Sequence, residues 1–248
     1  MSVRVEFCGV PGSGKSTLCA GALRVLRHRG RKVLDRAEMV AAQLRKRNHG
    51  VIANTIAAVV PGWREAFLGL AHGMDDWIGF VAAHPRYAAL AQEWIAAADK
   101  PETWRRAVFH AVATTAFEYR LSADVEVPLW LDEGFAQRFF SLRGYGVAAQ
   151  AGDADRYAQA MPPPTALVWV ATSPATCVAR VSARPSLPLL LGDEQKEQIP
   201  ARFEEGVKLL DGLAGALDRR GVPVLRIDGD GVVDAAAARI ADFVEALG

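Results

Sequence analysis

The sequence predicts an α/β fold, a mostly parallel sheet covered by helices on both faces. Three observations carry this. Short runs rich in β-branched and aromatic residues alternate with stretches of helical period. A glycine-rich loop, Gly9 to Gly14, separates the first strand from the first helix. Polar residues (Asp35, Asp132 and Glu133, Ser173, Asp228) follow strand after strand, all where a parallel sheet would bring its carboxyl ends together. A chain of 248 residues can bury a substantial core, and 1–248 reads as a single domain.

Taken in order, Val3 to Cys8 alternates and is the first strand. Lys15 to Arg29 places Leu18, Ala22, Val25 and Leu26 at helical spacing and stops at Gly30. Lys32 to Leu34 is a short second strand ending at Asp35. Residues 37–121 carry a helical pattern broken near Pro61–Gly62, Pro85 and Pro101, too long for a simple crossover and therefore expected to be a helical insertion between strands two and three. Its tryptophans (Trp63, Trp77, Trp94, Trp104) read as core aromatics, and its histidines (His49, His72, His84, His110) lack metal-ligand spacing. Val125 to Leu131 is the third strand and Ala166 to Ala171 the fourth, entered through the rigid Pro162–Pro163–Pro164 run. Helices over Ala175 to Ala183 and Pro200 to Arg220, a fifth strand over Val222 to Ile227 and a helix over Val233 to Leu247 follow.

Charge and composition exclude several classes. Lys plus Arg number 29 against 28 for Asp plus Glu, so no basic excess argues for nucleic acid, and Arg45–Lys46–Arg47 reads as a solvated helix face. No apolar run is long enough to cross a bilayer without a charge, a proline or a glycine cluster, and no signal segment precedes the first strand. Cys8, Cys19 and Cys177 read as small buried apolar residues, which suits a reducing, cytoplasmic setting. A homodimer is compatible with the sequence; nucleic-acid and membrane partners are not expected.

The chemistry concentrates in Gly9-Val-Pro-Gly-Ser-Gly-Lys-Ser-Thr17, which fits G-x-x-x-x-G-K-[ST]. Glycines at 9, 12 and 14 permit torsions closed to other residues, so successive backbone N–H groups can turn inward around an anion. The positive end of the following helix adds to that field. Lys15 reaches β- and γ-phosphates, Ser16 is placed to hold Mg²⁺, and Thr17 supplies the next hydroxyl. Asp132 emerges at a strand end as the second candidate Mg²⁺ ligand, and Glu133 beside it is a candidate to polarise an acceptor hydroxyl. Helical spacing puts Gln137 on the side of Glu133, with Arg138 nearby facing either the substrate or an ion pair. Arg180 and Arg184 lie one helical turn apart and can both meet a transferring phosphoryl group. Residues 180–199, with two prolines and Gly192, read as a lid. Asp35 is either a base toward an attacking hydroxyl or a helix N-cap, and Arg36 could orient an anionic group. Glu118 and Arg120 are further candidate acceptor contacts.

The phosphate loop, Asp132–Glu133, the Arg180/Arg184 pair before a proline-rich flap, and Ile227-Asp-Gly-Asp-Gly231 together resemble the P-loop kinases of the nucleoside and nucleotide kinase group, in layout nearest the thymidylate-kinase-like and deoxynucleoside-kinase-like members. The resemblance covers roughly residues 1 to 36 and 125 to 248. It implies a five-stranded parallel sheet in the order 2-3-1-4-5, a helical acceptor-binding region over 37–121, and Asp228 and Gly229 against the base of ATP. Asp132-Glu133-Gly134 stands where thymidylate kinases have an Asp-Arg pair and deoxynucleoside kinases a Glu-Arg-Ser.

The function expected is Mg²⁺-assisted phosphoryl transfer from ATP to a small-molecule acceptor, with a hydroxyl favoured over a phosphate. The alternative is a nucleotide-hydrolysing switch acting on a protein partner. The Asn/Thr-Lys-x-Asp guanine-reading motif of regulatory GTPases and the Ser-Gly-Gly-rich signature of ABC-type ATPases are both missing.

Overall fold

In the computed structural model, residues 3–46, 74–123, 125, 127–131, 133–145, 149–184 and 198–247 are described. Their elements run β1 (Arg4–Cys8), α1 (Lys15–His28), β2 (Leu34–Asp35), α2 (Arg36–Lys46), α3 (Met74–Ala83), α4 (Pro85–Ala97), α5 (Glu102–Ser122) and β3 (Leu129–Leu131). There follow α6 (Phe135–Arg143), α7 (Asp153–Ala160), β4 (Ala166–Ala171), α8 (Pro174–Ser182), α9 (Ile199–Arg219), β5 (Val224–Asp228) and α10 (Val233–Glu245).

The strands form one five-stranded sheet in the order β2-β3-β1-β4-β5. Every neighbouring pair is parallel, so each connection must cross over, and helices supply the crossovers. β1 is central, with Glu6 opposite Leu131 on one side and Leu167 on the other. The ends of all five strands that precede functional residues therefore share one edge.

Three departures from the sequence reading have local causes. β3 pairs only from Leu129, because Pro128 has no N–H to give a ladder; its carbonyl still accepts from Leu34 N–H at 3.0 Å. β5 starts at Val224, after Pro223 has used its carbonyl on Leu167 N–H. The helix α7 was not expected. It has eight residues, and only Asp153, Tyr157 and Ala158 are buried. It is held by a buried pair between Arg143 and Asp153, in which Arg143 Nε donates at 2.8 Å while the guanidinium covers the Trp94 ring at 4.8 Å.

Alternation along the strands divides the core. Val5, Phe7, Val168 and Val170 point to one face and pack on α1 and α10. There Gly21 lets the two helices close: a Cβ on it would meet Ala237 Cβ at 3.1 Å. Leu167 and Trp169 point to the other face, against α6, α8, α9 and an aromatic cluster that includes Phe80, Tyr87, Phe135 and Tyr157. None of the helices, among the described residues, is long and apolar enough to cross a membrane.

Candidate active site

The loop between β1 and α1 has the conformation its glycines allow. Gly12 and Gly14 sit at φ +83° and +88°, in the left-handed region that favours glycine. Space is closed as well: a Cβ on Gly12 would lie 2.5 Å from the Cys177 carbonyl oxygen. Ser13 is fully buried, its N–H on the Val10 carbonyl at 3.0 Å. Lys15 opens α1, and Ser16 and Thr17 stand exposed on its first turn. This cradle and the helix N-terminus that follows it fit the phosphates of a nucleotide. The exposed Ser16 hydroxyl fits one ligand position of a Mg²⁺ that would draw its remaining ligands from phosphate and water. Among the described residues no three His, Cys, Asp or Glu side chains gather as a metal cluster. Burial pushes the Cys177 thiol up to about 11 and the Cys8 thiol up as well, so both are neutral packing groups beside the loop.

On one side of the loop lies α6. Gln137 Oε1 accepts the N–H of Gly9 at 3.1 Å, a buried bond that ties α6 to the first glycine of the motif. Arg138 is buried. Its Nη2 donates to Glu133 Oε2 at 2.7 Å and to the Glu133 carbonyl at 3.1 Å, and its Nε donates to Thr115 Oγ1 at 2.9 Å. Of the two placements offered for Arg138, the substrate or an ion pair, its contacts are those of an ion pair, made with Glu133. Burial works to raise the Glu133 carboxyl, but Arg138, Lys15 and Arg36 outweigh it and hold the group below the ordinary carboxylate range. Lys15 and Glu133 therefore share one electrostatic neighbourhood although they lie on different strand ends.

On the other side, a cavity of about 290 Å³ opens between the loop and the ends of β5 and α8. Gly14, Thr17, Arg180, Arg184, Asp228 and Gly229 line it. Arg180 bridges its walls, donating to the carbonyls of Gly12 and Gly229 at 3.2 Å each. Gly229 allows the β5 turn to touch the loop; a Cβ there would be 1.9 Å from Thr172 Oγ1 and 2.7 Å from the Ser13 carbonyl oxygen. Thr172 Oγ1 itself donates to that carbonyl at 2.8 Å. Asp228 accepts Asp230 N–H, and Asp230 accepts Ser173 N–H, so the turn also caps α8.

The other candidates lie on β2, α2 and α5. Asp35 and Glu38 form a reciprocal capping box: Asp35 Oδ1 accepts Glu38 N–H at 2.8 Å and Glu38 Oε2 accepts Asp35 N–H at 2.9 Å. The N-cap alternative for Asp35 is the one its contacts support. Arg36 Nε donates to Glu118 Oε1 at 2.6 Å, and the Glu118 carboxylate is buried behind it. Arg120 pairs with Asp76 on α3 at 3.4 Å. Asp132 and lid residues 185–197 lie outside the described residues. Sequence reading missed Thr172 and Glu6. Thr172 looked like an ordinary residue after a strand. Glu6 carried a signal, a carboxylate in the middle of the central strand.

No family model matches the chain, and none of the curated proteins does. Among solved structures, deoxyadenosine kinase from M. mycoides, with products dCMP and a flexible dCDP bound, is similar over 99% of this chain and 100% of that one, at 10% identity and a TM-score of 0.50. The same enzyme with bound dCTP covers 98% and 100% at 10% identity and a TM-score of 0.49. With bound dATP the figures are 98%, 100%, 11% and 0.47. The chain has a fold similar to that of a P-loop kinase of the deoxynucleoside-kinase type.

Proposed function

We propose that the protein transfers the γ-phosphoryl group of ATP, with Mg²⁺, to a hydroxyl of a small-molecule acceptor. One observation supports this above the rest: Gln137 ties the first turn of α6, directly after Glu133, to Gly9 of the phosphate loop, while the arginine pair lines the cavity on the loop's opposite flank. A switch would need the loop but not this two-sided arrangement.

In this reading the loop N–H groups and Lys15 hold the phosphates, and Ser16 would hold the metal, with Asp132 reaching it through water. Mg²⁺, when bound, neutralises charge on the phosphate oxygens. Asp228 and Gly229 lie along the base. Arg180 braces the base cavity, and Arg184 faces the developing charge. Glu133 accepts the hydrogen bond of the attacking hydroxyl and takes its proton as the new P–O bond forms and the bond to the leaving ADP oxygen breaks. A carboxylate held below its usual range is a modest base, but a loose phosphoryl transition state asks mainly for orientation. Arg138 fixes that carboxylate. Residues 37–121 form the acceptor side, with Arg36 and Glu118 at its edge and Asp35 closing α2. The reading includes a lid over 180–199 and a cytoplasmic location.

Product detection by mass spectrometry tests it, with ATP·Mg²⁺ offered against nucleosides, sugars and amino alcohols. Deoxynucleosides form the first arm, after the activity that the similar M. mycoides enzyme's name gives. A phosphorylated acceptor, and its loss in Lys15→Ala, is the expected result. ATP hydrolysis indifferent to every acceptor and accelerated by a protein partner would sink the proposal.

A further inference from the structure

Glu6 is fully buried in the middle of β1, where a parallel-sheet core strand ordinarily carries an apolar residue. Its partners explain why it is there. Oε2 accepts the N–H of Ala136, one of the first-turn donors of α6 that no intrahelical carbonyl can satisfy, at 2.8 Å. Oε1 faces Arg4 Nε at 3.2 Å. Arg4 is held in turn: its Nη2 donates to the carbonyls of Pro162 and Pro163 at 3.0 and 2.7 Å, and its guanidinium covers the Tyr119 ring at 4.6 Å.

The N-cap position of α6 is Gly134, which has no side chain with which to cap. Its backbone, φ −77° and ψ −164°, is one that any residue adopts, so torsion does not explain the glycine. Space does. A Cβ on Gly134 would lie 2.3 Å from Glu6 Cδ and 2.5 Å from Oε2. The carboxylate of a strand residue, distant by 130 positions, fills the place of a local cap. Gln137, on the same turn, ties that turn to Gly9. Glu133 immediately precedes it.

We infer that Glu6 is a positioning residue: by capping α6 from β1 it sets where Glu133 stands relative to the phosphate loop. The inference rests on the proposed role of Glu133. Glu6 touches no reacting atom; it acts through the Gly134–Ala136 backbone. Misplacement of a reacting group by an ångström costs about 100-fold in rate, and that is the scale at stake.

Removing Glu6 alone would leave Arg4 buried without its counter-charge, so the test uses neutral pairs. Arg4→Met/Glu6→Met replaces the ion pair with packing and deletes the acceptor. Arg4→Met/Glu6→Gln keeps an oxygen for Ala136 N–H. Both are purified as full chains, and melting temperature, KM for ATP, kcat and amide exchange at Ala136 are measured. The expected result is that the Met/Met protein loses Ala136 protection and about 100-fold in kcat relative to the Met/Gln protein, at similar melting temperature and KM for ATP. Equal kcat in the two variants overturns the inference, whatever the exchange shows. Should the wild-type protein phosphorylate no acceptor, the functional reading fails by itself, and Ala136 exchange still decides the cap: equal exchange in the two variants overturns it, and protection confined to the Met/Gln protein supports it.

Discussion

Both faces of the central sheet pack apolar cores, but one of them also carries buried polar contacts, and β1 shows the difference within five residues. Val5 and Phe7 enter an apolar layer with Leu18, Ala22, Ile240 and Val244 from α1 and α10. Arg4 and Glu6, pointing the other way, begin a chain of buried polar contacts that reaches Ala136 and the prolines before β4. Beside it, Gln137 holds Gly9, and Arg138 joins Thr115 to Glu133. Burial of apolar area is non-directional, so the first face stabilises without prescribing a geometry finer than close packing. A buried polar group is satisfied only in a narrow range of distances and angles, so the second face prescribes where Glu133 and the loop stand. Apolar packing is thus common to both sides of the sheet, and positional precision is drawn from one of them.

That division can be broken most forcefully at the loop both faces support. Lys15→Ala should lower phosphoryl transfer by about 10³-fold, since it removes charge stabilisation aimed at the transferring group. Its melting temperature should stay near wild type, because the lysine lies at the mouth of the site and not in either core. Parallel measurement of kcat and thermal unfolding decides the point. A large fall in melting temperature would show that the loop and the cores are not separable.

Phe7→Ala tests the apolar face. Deleting a buried phenyl group costs about 3–5 kcal/mol, or roughly 6–20 °C of melting temperature for a chain of this size. Below that lowered temperature kcat should remain at the wild-type level, unlike the pair of variants at Glu6. If Phe7→Ala also loses kcat in the folded range, the apolar layer prescribes geometry after all.

Gly229→Ala should fall between these. Its Cβ would collide with Thr172 Oγ1 and the Ser13 carbonyl, so the β5 turn must withdraw from the loop. A cost of about 1–3 kcal/mol is expected for such overpacking, together with a raised KM for ATP, read by calorimetry and steady-state kinetics.

How much of this was legible follows the same division. The strand and helix order could be read because apolar periodicity reports packing directly, and the loop because its glycines and Lys15-Ser16-Thr17 are contiguous. Arg180 and Arg184 could be named from their helical spacing and Asp228 and Gly229 through resemblance, but not that the four line one cavity, which only the fold creates. Glu6 was not, since its partner Ala136 is 130 residues away and is a backbone N–H, which leaves no mark in sequence. Asp35 shows the converse. A capping box is local, and the N-cap alternative offered for Asp35 is the one its contacts with Glu38 support. Thr172 and Gly229 meet across the β4–β5 pairing, a contact that register alone creates.

The smallest effect sharpens the comparison at the polar face's outermost member. Arg138, then Lys15 and Arg36, overcome the upward push of burial and hold the Glu133 carboxyl below its ordinary value of about 4.3. A group depressed in the folded state contributes stability above its unfolded pKa and loses it as pH falls through the folded one. Wild-type kcat should therefore stay level through the neutral range, with its acid limb below about pH 4.3. In Arg138→Met the desolvation of Glu133 is opposed by Lys15 and Arg36 alone, so its pKa rises, the acid limb moves toward neutrality, and the stability that Glu133 contributes at neutral pH and loses on acidification shrinks. The readouts are pH–rate profiles and acid titrations of the two proteins, followed by circular dichroism. Coincident acid limbs would mean that Arg138 holds Glu133 in place without controlling its charge.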